Sequence, residues 1–277
     1  MNIILRRKLS RAYAYILNVY DRLSSKEVDL SLGDIMLNHG CIDSLQFLVA
    51  SRIMDVEEYI NNDNDHFEIT NTISKAAYPE RDDNFFNESN RVFIGIIKSI
   101  CELGFDKKYP IKIDSEYRIT DGTHRIAVCF NQGYTSLSAR VLRRKSKNAK
   151  NPDPYYAKEK LNSVLLKSIF EKNGIIQDRL IEEGHCYCLH AECGAGVVDD
   201  LKALASVKEV LKNNDAVLVK FTLEKPDYFI KNKQLVSKRI LDIEEIINRR
   251  YPFLHYELSK NCSEGYMIYQ KYHSLFK

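Results

Sequence analysis

The stretch 117–132, YRITDGTHRIAVCFNQ, decides the fold of this chain. It begins as a short alternating run and ends as an apolar stripe at helical spacing, with Ile126, Ala127 and Phe130. Between the two stands DGTHR, Asp121 to Arg125. The pattern therefore predicts that these five residues form a turn from a strand into a helix.

The DGTHR turn has the residues of an anion site. The first N–H groups of a helix have no intrahelical partner and carry the positive end of its dipole. Gly122 lets the backbone approach a ligand closely, and Thr123 adds a hydroxyl. His124 and Arg125 add donors that suit phosphate oxygens, while Asp121 brings a carboxylate for Mg²⁺ or for a reacting hydroxyl. An Asp-Gly hairpin or a helix-capping His would not explain this order of residues between a strand and a helix.

The elements on either side complete one unit. A helical stripe runs through 91–103, and Gly104 stands where a helix-terminating glycine is expected. Next comes a strand over 109–113, with Pro110 at its start, where the missing N–H costs little. After a turn and a second strand, the helix that follows DGTHR ends at Gly133, and 136–142 alternates like a further strand. The predicted order is helix, hairpin, helix, strand.

Composition places the chain among ordinary globular proteins. It has 277 residues, 44% hydrophobic and 29% charged, enough for one large domain or two modest ones. A net charge of +3 is too balanced to indicate nucleic-acid binding by charge alone. We expect a cytoplasmic location, with no signal peptide and no membrane span, because charged residues interrupt each apolar run. The seven cysteines are unevenly spaced, which favours reduced thiols over a disulfide framework.

Three regions follow from the patterns. Residues 1–83 form a helical lead-in, with amphipathic helices over 3–23 and 45–60, and then an Asn- and Asp-rich exposed loop that ends near Asn90. Residues 84–146 form the central domain. The polar segment 146–160, with two prolines, is the predicted boundary to a C-terminal domain over 160–277. The patterns there predict about four strands and two helices on one face, with a helix over 199–212 and a last strand over 266–269.

Two C-terminal patterns and one basic cluster each leave two interpretations. The residues Cys186, Cys188, His190 and Cys193 are either zinc ligands or ordinary core residues. Core packing is favoured, because their spacing matches no standard pair of zinc knuckles. The turn 194–196, GAG, is either a second phosphate site or a tight turn into a helix, and the turn is favoured. The third pattern is the basic cluster Arg140, Arg143, Arg144, Lys145, Lys147 and Lys150. It either contacts nucleic acid or forms a solvated linker, and the linker is favoured.

In order and motifs, residues 84–142 resemble the ParB and sulfiredoxin superfamily. Its members combine a helix that ends in Gly, a "Pro-Ile-x-Val" strand and a nucleotide-binding turn, written GERR in ParB proteins, GGCHR in sulfiredoxins and DGxHR or DGHTR in the free serine kinases. This chain has DGTHR, so Thr123 replaces the sulfiredoxin cysteine and the paired arginines of ParB are absent. The resemblance is closest to the kinases and implies an α+β fold with a ParB/sulfiredoxin-like central domain.

The same resemblance implies a function. The turn would hold the phosphates of ATP or ADP with Mg²⁺, and a phosphoryl group would pass to the hydroxyl of a small metabolite such as serine. Glu88, upstream of the proline strand, would be the catalytic base, beside Asp121; a first-turn or solvated acid is its alternative interpretation. Arg91, one turn further, would place an anionic group unless it is a surface arginine. A ParB-like, nucleotide-binding, DNA-associated protein without kinase activity is the alternative function.

Overall fold

Two β-sheets, each with its own hydrophobic core, organise the protein. The computed structural model describes residues 15–16, 19–21, 23–37, 43–145, 161–224 and 227–277. The strands are β1 (Lys26–Ser31), β2 (Ile111–Ile113), β3 (Ile119–Asp121), β4 (Ser136–Val141), β5 (Tyr187–Glu192), β6 (Ser206–Lys212), β7 (Ala216–Thr222), β8 (Tyr228–Lys231), β9 (Gln234–Ser237) and β10 (Tyr256–Leu258). The first sheet has the order β3-β2-β4-β1-β9-β8, and the second has the order β10-β5-β7-β6.

Helices pack on both sheets and confirm the predicted α+β class. They are α1 (Leu32–Leu37), α2 (Asp43–Asn62), α3 (Glu68–Ala77), α4 (Asp83–Leu103), α5 (Thr123–Asn131), α6 (Ser163–Glu182), α7 (Ala195–Leu204), α8 (Lys238–Arg250) and α9 (Cys262–Tyr272), followed by a 3₁₀ turn (His273–Phe276). In the part of the chain that is described, no helix is long and apolar enough to cross a membrane.

The central unit has the predicted elements in the predicted order. β2 pairs antiparallel with β3 and parallel with β4, and α5 lies between β3 and β4 in the chain. Gly104 and Gly133, which follow α4 and α5, have φ angles of 80° and 74°, in the left-handed region that favours glycine. The apolar stripe of α5 is buried in the first core.

The N-terminal region is more than a helical lead-in. The predicted second helix is confirmed by α2, and the described residues before Ser25 are helical, while 1–14 lie outside the described residues. The segment between the two predicted helices, however, contains β1. Val28 and Leu30 of β1 are 1% exposed, and this strand pairs with β4 along its whole length, from Lys26 opposite Val141 to Ser31 opposite Ser136. β1 is therefore a central strand of the first sheet.

The prediction of an exposed loop ending near Asn90 is wrong, because most of that region is helical. Helix α3 occupies 68–77, and α4 begins at Asp83, eight residues before the predicted start at Arg91. Asp82 caps α4, since its carboxylate accepts the Phe85 N–H at 2.9 Å. Buried apolar side chains, Ile73 on α3 and Phe86 on α4, fix these helices against the protein despite the turn-favouring Asn and Asp residues around them.

The chain after the predicted boundary contributes to both cores. The boundary segment 146–160 itself lies outside the described residues. Helix α6 is one continuous helix, and it buries Ile169, Ile176 and Leu180 in the first core. β8 and β9 join the first sheet beside β1. The division at 84, 146 and 160 stays a prediction, and it does not coincide with the division between the two cores.

The second sheet carries helices on both faces. α7 and α8 pack on the face that includes Tyr187 and Leu189, whereas α9 packs through Ile268 on the face that includes Cys186 and Cys188. Two predictions fail here. Residues 206–212, predicted to extend a helix, form β6, which pairs with β7, and residues 266–269, predicted as a strand, lie in α9. In both segments, long-range packing overrides a weak local pattern.

A buried polar network joins the two sheets. The Asp34 carboxylate, 1% exposed on α1, accepts the Tyr228 hydroxyl at 3.0 Å and the Cys262 N–H at 3.3 Å. The Tyr187 hydroxyl of the second sheet in turn donates to the Tyr228 hydroxyl at 3.5 Å. Burial raises the pKa of Asp34 from 3.8 to about 6, because the charged form loses its hydration.

Candidate functional site

A cavity of about 560 Å³ opens beside the DGTHR turn. One wall comes from α4 and the loop after it, and the other from the turn itself and the neighbouring strands. The lining includes apolar groups from Val92, Ile96, Ile100, Phe105 and Pro110, and charged groups from Asp106, Lys108, Lys112, Asp121, Arg125 and Arg140. Four of these charged side chains are basic and two are acidic, so the cavity favours an anion.

Gly122 is the residue that allows the turn to exist. It precedes the first residue of α5 with a φ of 109°, and its carbonyl accepts the Ile126 N–H at 2.9 Å. A Cβ on Gly122 would lie 2.5 Å from Cδ1 of Ile111, which is fully buried in β2. Glycine is required here for its conformation and for the close approach of the turn to β2.

Arg125 binds protein groups with most of its donors. Its Nη1 donates to the carbonyls of Tyr109 and Pro110, the latter at 3.0 Å, and its Nη2 lies 3.2 Å from Oδ2 of Asp121. The sequence pattern predicts that Arg125 is a phosphate ligand. In the structure its guanidinium ties the loop before β2 to the start of α5.

Asp121 is the acid nearest the start of α5. Its side chain is half exposed, lines the cavity, and has Lys112 Nζ at 3.9 Å from Oδ2 in addition to Arg125. Mg²⁺ is commonly held by one or two carboxylates together with substrate phosphates and water, so one exposed carboxylate suits that role. Asp121 could supply one such carboxylate to a metal ion that takes its other ligands from a bound molecule and water.

Thr123 is held by a residue that sequence analysis missed. Arg52 of α2 donates from Nη1 to the Thr123 hydroxyl oxygen, which leaves the hydroxyl proton of Thr123 free to point to another acceptor. The pKa of Arg52 is lowered to about 10, first by burial, but the side chain stays cationic at neutral pH. Arg52 Nε is buried with no hydrogen-bond partner among the described residues. No local signal marks Arg52, because it lies 71 residues before Thr123.

His124 is neutral and packs inward. Its ring lies against Phe93 of α4 with the ring centroids 4.3 Å apart. Burial, followed by the positive charges of Arg52 and Arg125, lowers the pKa of His124 to about 2. His124 therefore offers a ligand a neutral imidazole and no positive charge at physiological pH.

Two basic side chains of the sheet were also missed. Lys112 of β2 and Arg140 of β4 are paired in the parallel ladder, so they project side by side from the same face. A signal existed, since each stands between residues that are buried, Ile111 and Ile113 around Lys112 and Ala139 and Val141 around Arg140. Arg140 was predicted to belong to a solvated linker, but it lies within β4 and lines the cavity.

Glu88 and Arg91 lie apart from this lining. Both are exposed on α4, which continues from them to Val92, Ile96 and Ile100 in the cavity wall. Their predicted roles stay predictions. Of the predicted turn residues, Asp121 and Arg125 line the cavity, whereas Gly122, Thr123 and His124 are not among its lining residues. Glu88 lies about one helical turn, roughly 6 Å along the axis, before Val92.

The C-terminal candidates have ordinary packing partners. Within the described residues, no group of three His, Cys, Asp or Glu side chains is arranged to hold a metal ion. Cys186 and Cys188 are buried against α9, and His190 stacks on Tyr272 with a centroid distance of 3.6 Å. All six described cysteines are free thiols. Gly194 packs tightly on Ala191 and Val217, as the tight-turn interpretation predicts.

The fold and the cavity define an α+β protein with a cationic pocket at the start of a helix. No protein-family model matches the chain, and no curated protein matches it significantly in sequence. It is similar to a solved structure described as "Structure of the C2221 form of Pnob8-like ParB-N domain", with 12% identity and a TM-score of 0.25 over 82% of this chain. The match spans 61% of that chain.

Proposed function

We propose that the cavity beside the DGTHR turn binds ATP or ADP with Mg²⁺, and that the protein transfers a phosphoryl group to the hydroxyl of a small metabolite such as serine. The observation that carries this proposal is the mixed lining of the cavity. Four basic side chains and the Asp121 carboxylate supply charged groups, and α4 and the loop after it supply apolar side chains.

A nucleotide matches both parts of the lining. The phosphates suit the basic side chains of Lys108, Lys112 and Arg140. The base and ribose suit the apolar wall that includes Val92 and Phe105. A cavity of about 560 Å³ lies within the roughly 300–1,000 Å³ of small-molecule sites.

Phosphoryl transfer requires positioning and charge more than covalent help from the protein. Magnesium, held through Asp121, would neutralise phosphate charge and fix the geometry of the transferred group. The Thr123 hydroxyl, oriented by Arg52, has a proton to donate to a phosphate oxygen. The acceptor's hydroxyl proton needs a carboxylate, and Glu88 is the proposed base, carried on the helix that forms the cavity wall.

The alternative, a nucleotide-binding, DNA-associated protein, receives less support from the basic cluster than the sequence suggests. Arg144 pairs with Asp21 at 2.7 Å, and Lys145 pairs with Glu116 at 2.5 Å. Lys147 and Lys150 lie outside the described residues. The two described ion pairs reduce the charge that the cluster presents to DNA.

A nucleotide screen followed by product analysis tests the proposal. ATP or ADP with Mg²⁺ should raise the unfolding temperature, since a ligand at about 100 times its Kd adds about 2.7 kcal/mol to stability. Incubation with serine and other hydroxylated metabolites should then give a phosphorylated product, and Asp121→Asn should lose it. No thermal shift with any nucleotide would sink the proposal. Salt-sensitive DNA binding without product would favour the alternative function.

A further inference from the structure

The arginine of the DGTHR motif is already committed to the protein. Two backbone carbonyls and the Asp121 carboxylate occupy most of its donors, and its side chain is only 16% exposed. A guanidinium gains little from a ligand phosphate if it must first give up such bonds. Arg125 is therefore suited to hold the site's shape.

Lys112 and Arg140, by contrast, are two like charges that the fold places side by side. The ladder places them directly beside each other on neighbouring strands, which are roughly 4.8 Å apart. Like charges that face each other across strands destabilise a sheet, so this pair has a cost that folding alone does not explain. An anion between the two side chains would remove the repulsion.

Neighbouring acids neutralise only part of the charge of Lys112 and Arg140. Asp121, opposite Lys112 on β3, is 3.9 Å from Lys112 Nζ and is shared with Arg125. Glu27, opposite Arg140 on β1, has Lys233 Nζ at 3.6 Å. Within the described part of the chain, Arg140 takes part in no ion pair.

We propose that Lys112 and Arg140 bind the phosphate groups of the ligand, while Arg125 is a positioning residue that clamps the loop before β2. The proposal deepens the nucleotide function and rests on it for the identity of the ligand. A lysine point charge beside the planar fork of an arginine suits the successive phosphates of a polyphosphate chain. Both side chains line the cavity, together with Asp121 and Arg125 of the turn.

Calorimetric titration with inorganic tripolyphosphate separates this site from any catalytic activity. Lys112→Gln and Arg140→Gln should each weaken binding by about tenfold or more, as expected for the loss of a charge-assisted hydrogen bond. Lys98→Gln on the exposed part of α4 and Arg143→Gln just after β4 make the same charge changes outside the cavity lining. These two controls should bind as the wild type does.

The role of Arg125 is tested by measuring the unfolding temperature and the tripolyphosphate affinity of the same variant. Arg125→Lys keeps the charge but loses the fork that reaches two carbonyls, so it should lower the unfolding temperature and leave tripolyphosphate affinity within about threefold. The inference is overturned if wild type does not bind tripolyphosphate. It is also overturned if folded Arg125→Lys loses binding while Lys112→Gln and Arg140→Gln keep it. If binding follows the expected pattern but no phosphoryl transfer occurs, the anion site stands and the kinase function fails.

Discussion

Replacing Gly122 by alanine tests the geometry on which the whole site depends. Gly122 joins β3 to α5 with a φ of 109°, and its backbone lies against the buried Ile111 of β2. Alanine adds one Cβ and changes neither charge nor polarity. The substitution therefore measures conformational strain and local crowding.

Two costs add in the alanine variant. A residue with a Cβ in the left-handed region loses about 1–2 kcal/mol relative to glycine. The new Cβ would stand 2.5 Å from Cδ1 and 3.3 Å from Cγ2 of Ile111, which is 0% exposed and has little room to move. Overpacking of this kind costs about 1–3 kcal/mol. We expect Gly122→Ala to lower the free energy of unfolding by about 2–5 kcal/mol.

Urea unfolding followed by circular dichroism measures this loss, and Gly174→Ala is the matched control. Gly174 lies in the middle of α6, where an added Cβ would meet nothing within 4 Å. Alanine there should stabilise the protein by about 0.5–1 kcal/mol, because glycine is unfavourable inside a helix. If Gly122→Ala lowers the free energy of unfolding by less than about 1 kcal/mol, the turn is neither strained nor closely packed against Ile111.

Three further predictions follow from buried and exposed titratable groups. Because the pKa of Asp34 is raised from 3.8 to about 6 in the folded protein, its protonated form stabilises the fold. The free energy of unfolding should therefore be highest below pH 3.8 and should fall by about 3 kcal/mol as pH rises through about 6. Asp34→Asn should remove this pH dependence. In urea unfolding, the stability of the variant relative to wild type should therefore be higher at about pH 7 than at about pH 4, and an equal difference at both pH values would contradict the prediction. The imidazole of His124 should show no titration by NMR between about pH 4.5 and about pH 8, and a midpoint in that range would rule out a ring that its surroundings keep neutral. Glu88→Gln should lower phosphoryl transfer by about 10²–10⁴-fold with unchanged nucleotide affinity, whereas Glu102→Gln, exposed on the same helix, should leave the rate unchanged; a full rate in Glu88→Gln would end its role as base.

The sequence by itself determined the central unit well. Short-range signals marked most of its boundaries: glycines at positions 104, 122 and 133, where φ is positive, the proline before β2, and the apolar stripe of α5. The start of α4 was not marked in this way, because turn-favouring Asn and Asp residues occupy it. These signals act within a few residues of the structure they define. The strand-to-helix turn and its neighbours were therefore predictable without knowledge of the rest of the chain.

Only the tertiary structure decided which distant groups complete the site. Arg52 hydrogen-bonds to Thr123, which lies 71 residues later in the chain. β1 belongs to the first sheet because it pairs with β4, which is also distant in sequence. The commitment of Arg125 to backbone carbonyls, and the alignment of Lys112 with Arg140, depend on strand register and loop placement. A motif specifies which donors are present, but hydrogen-bond partners and register determine which of them remain available to a ligand.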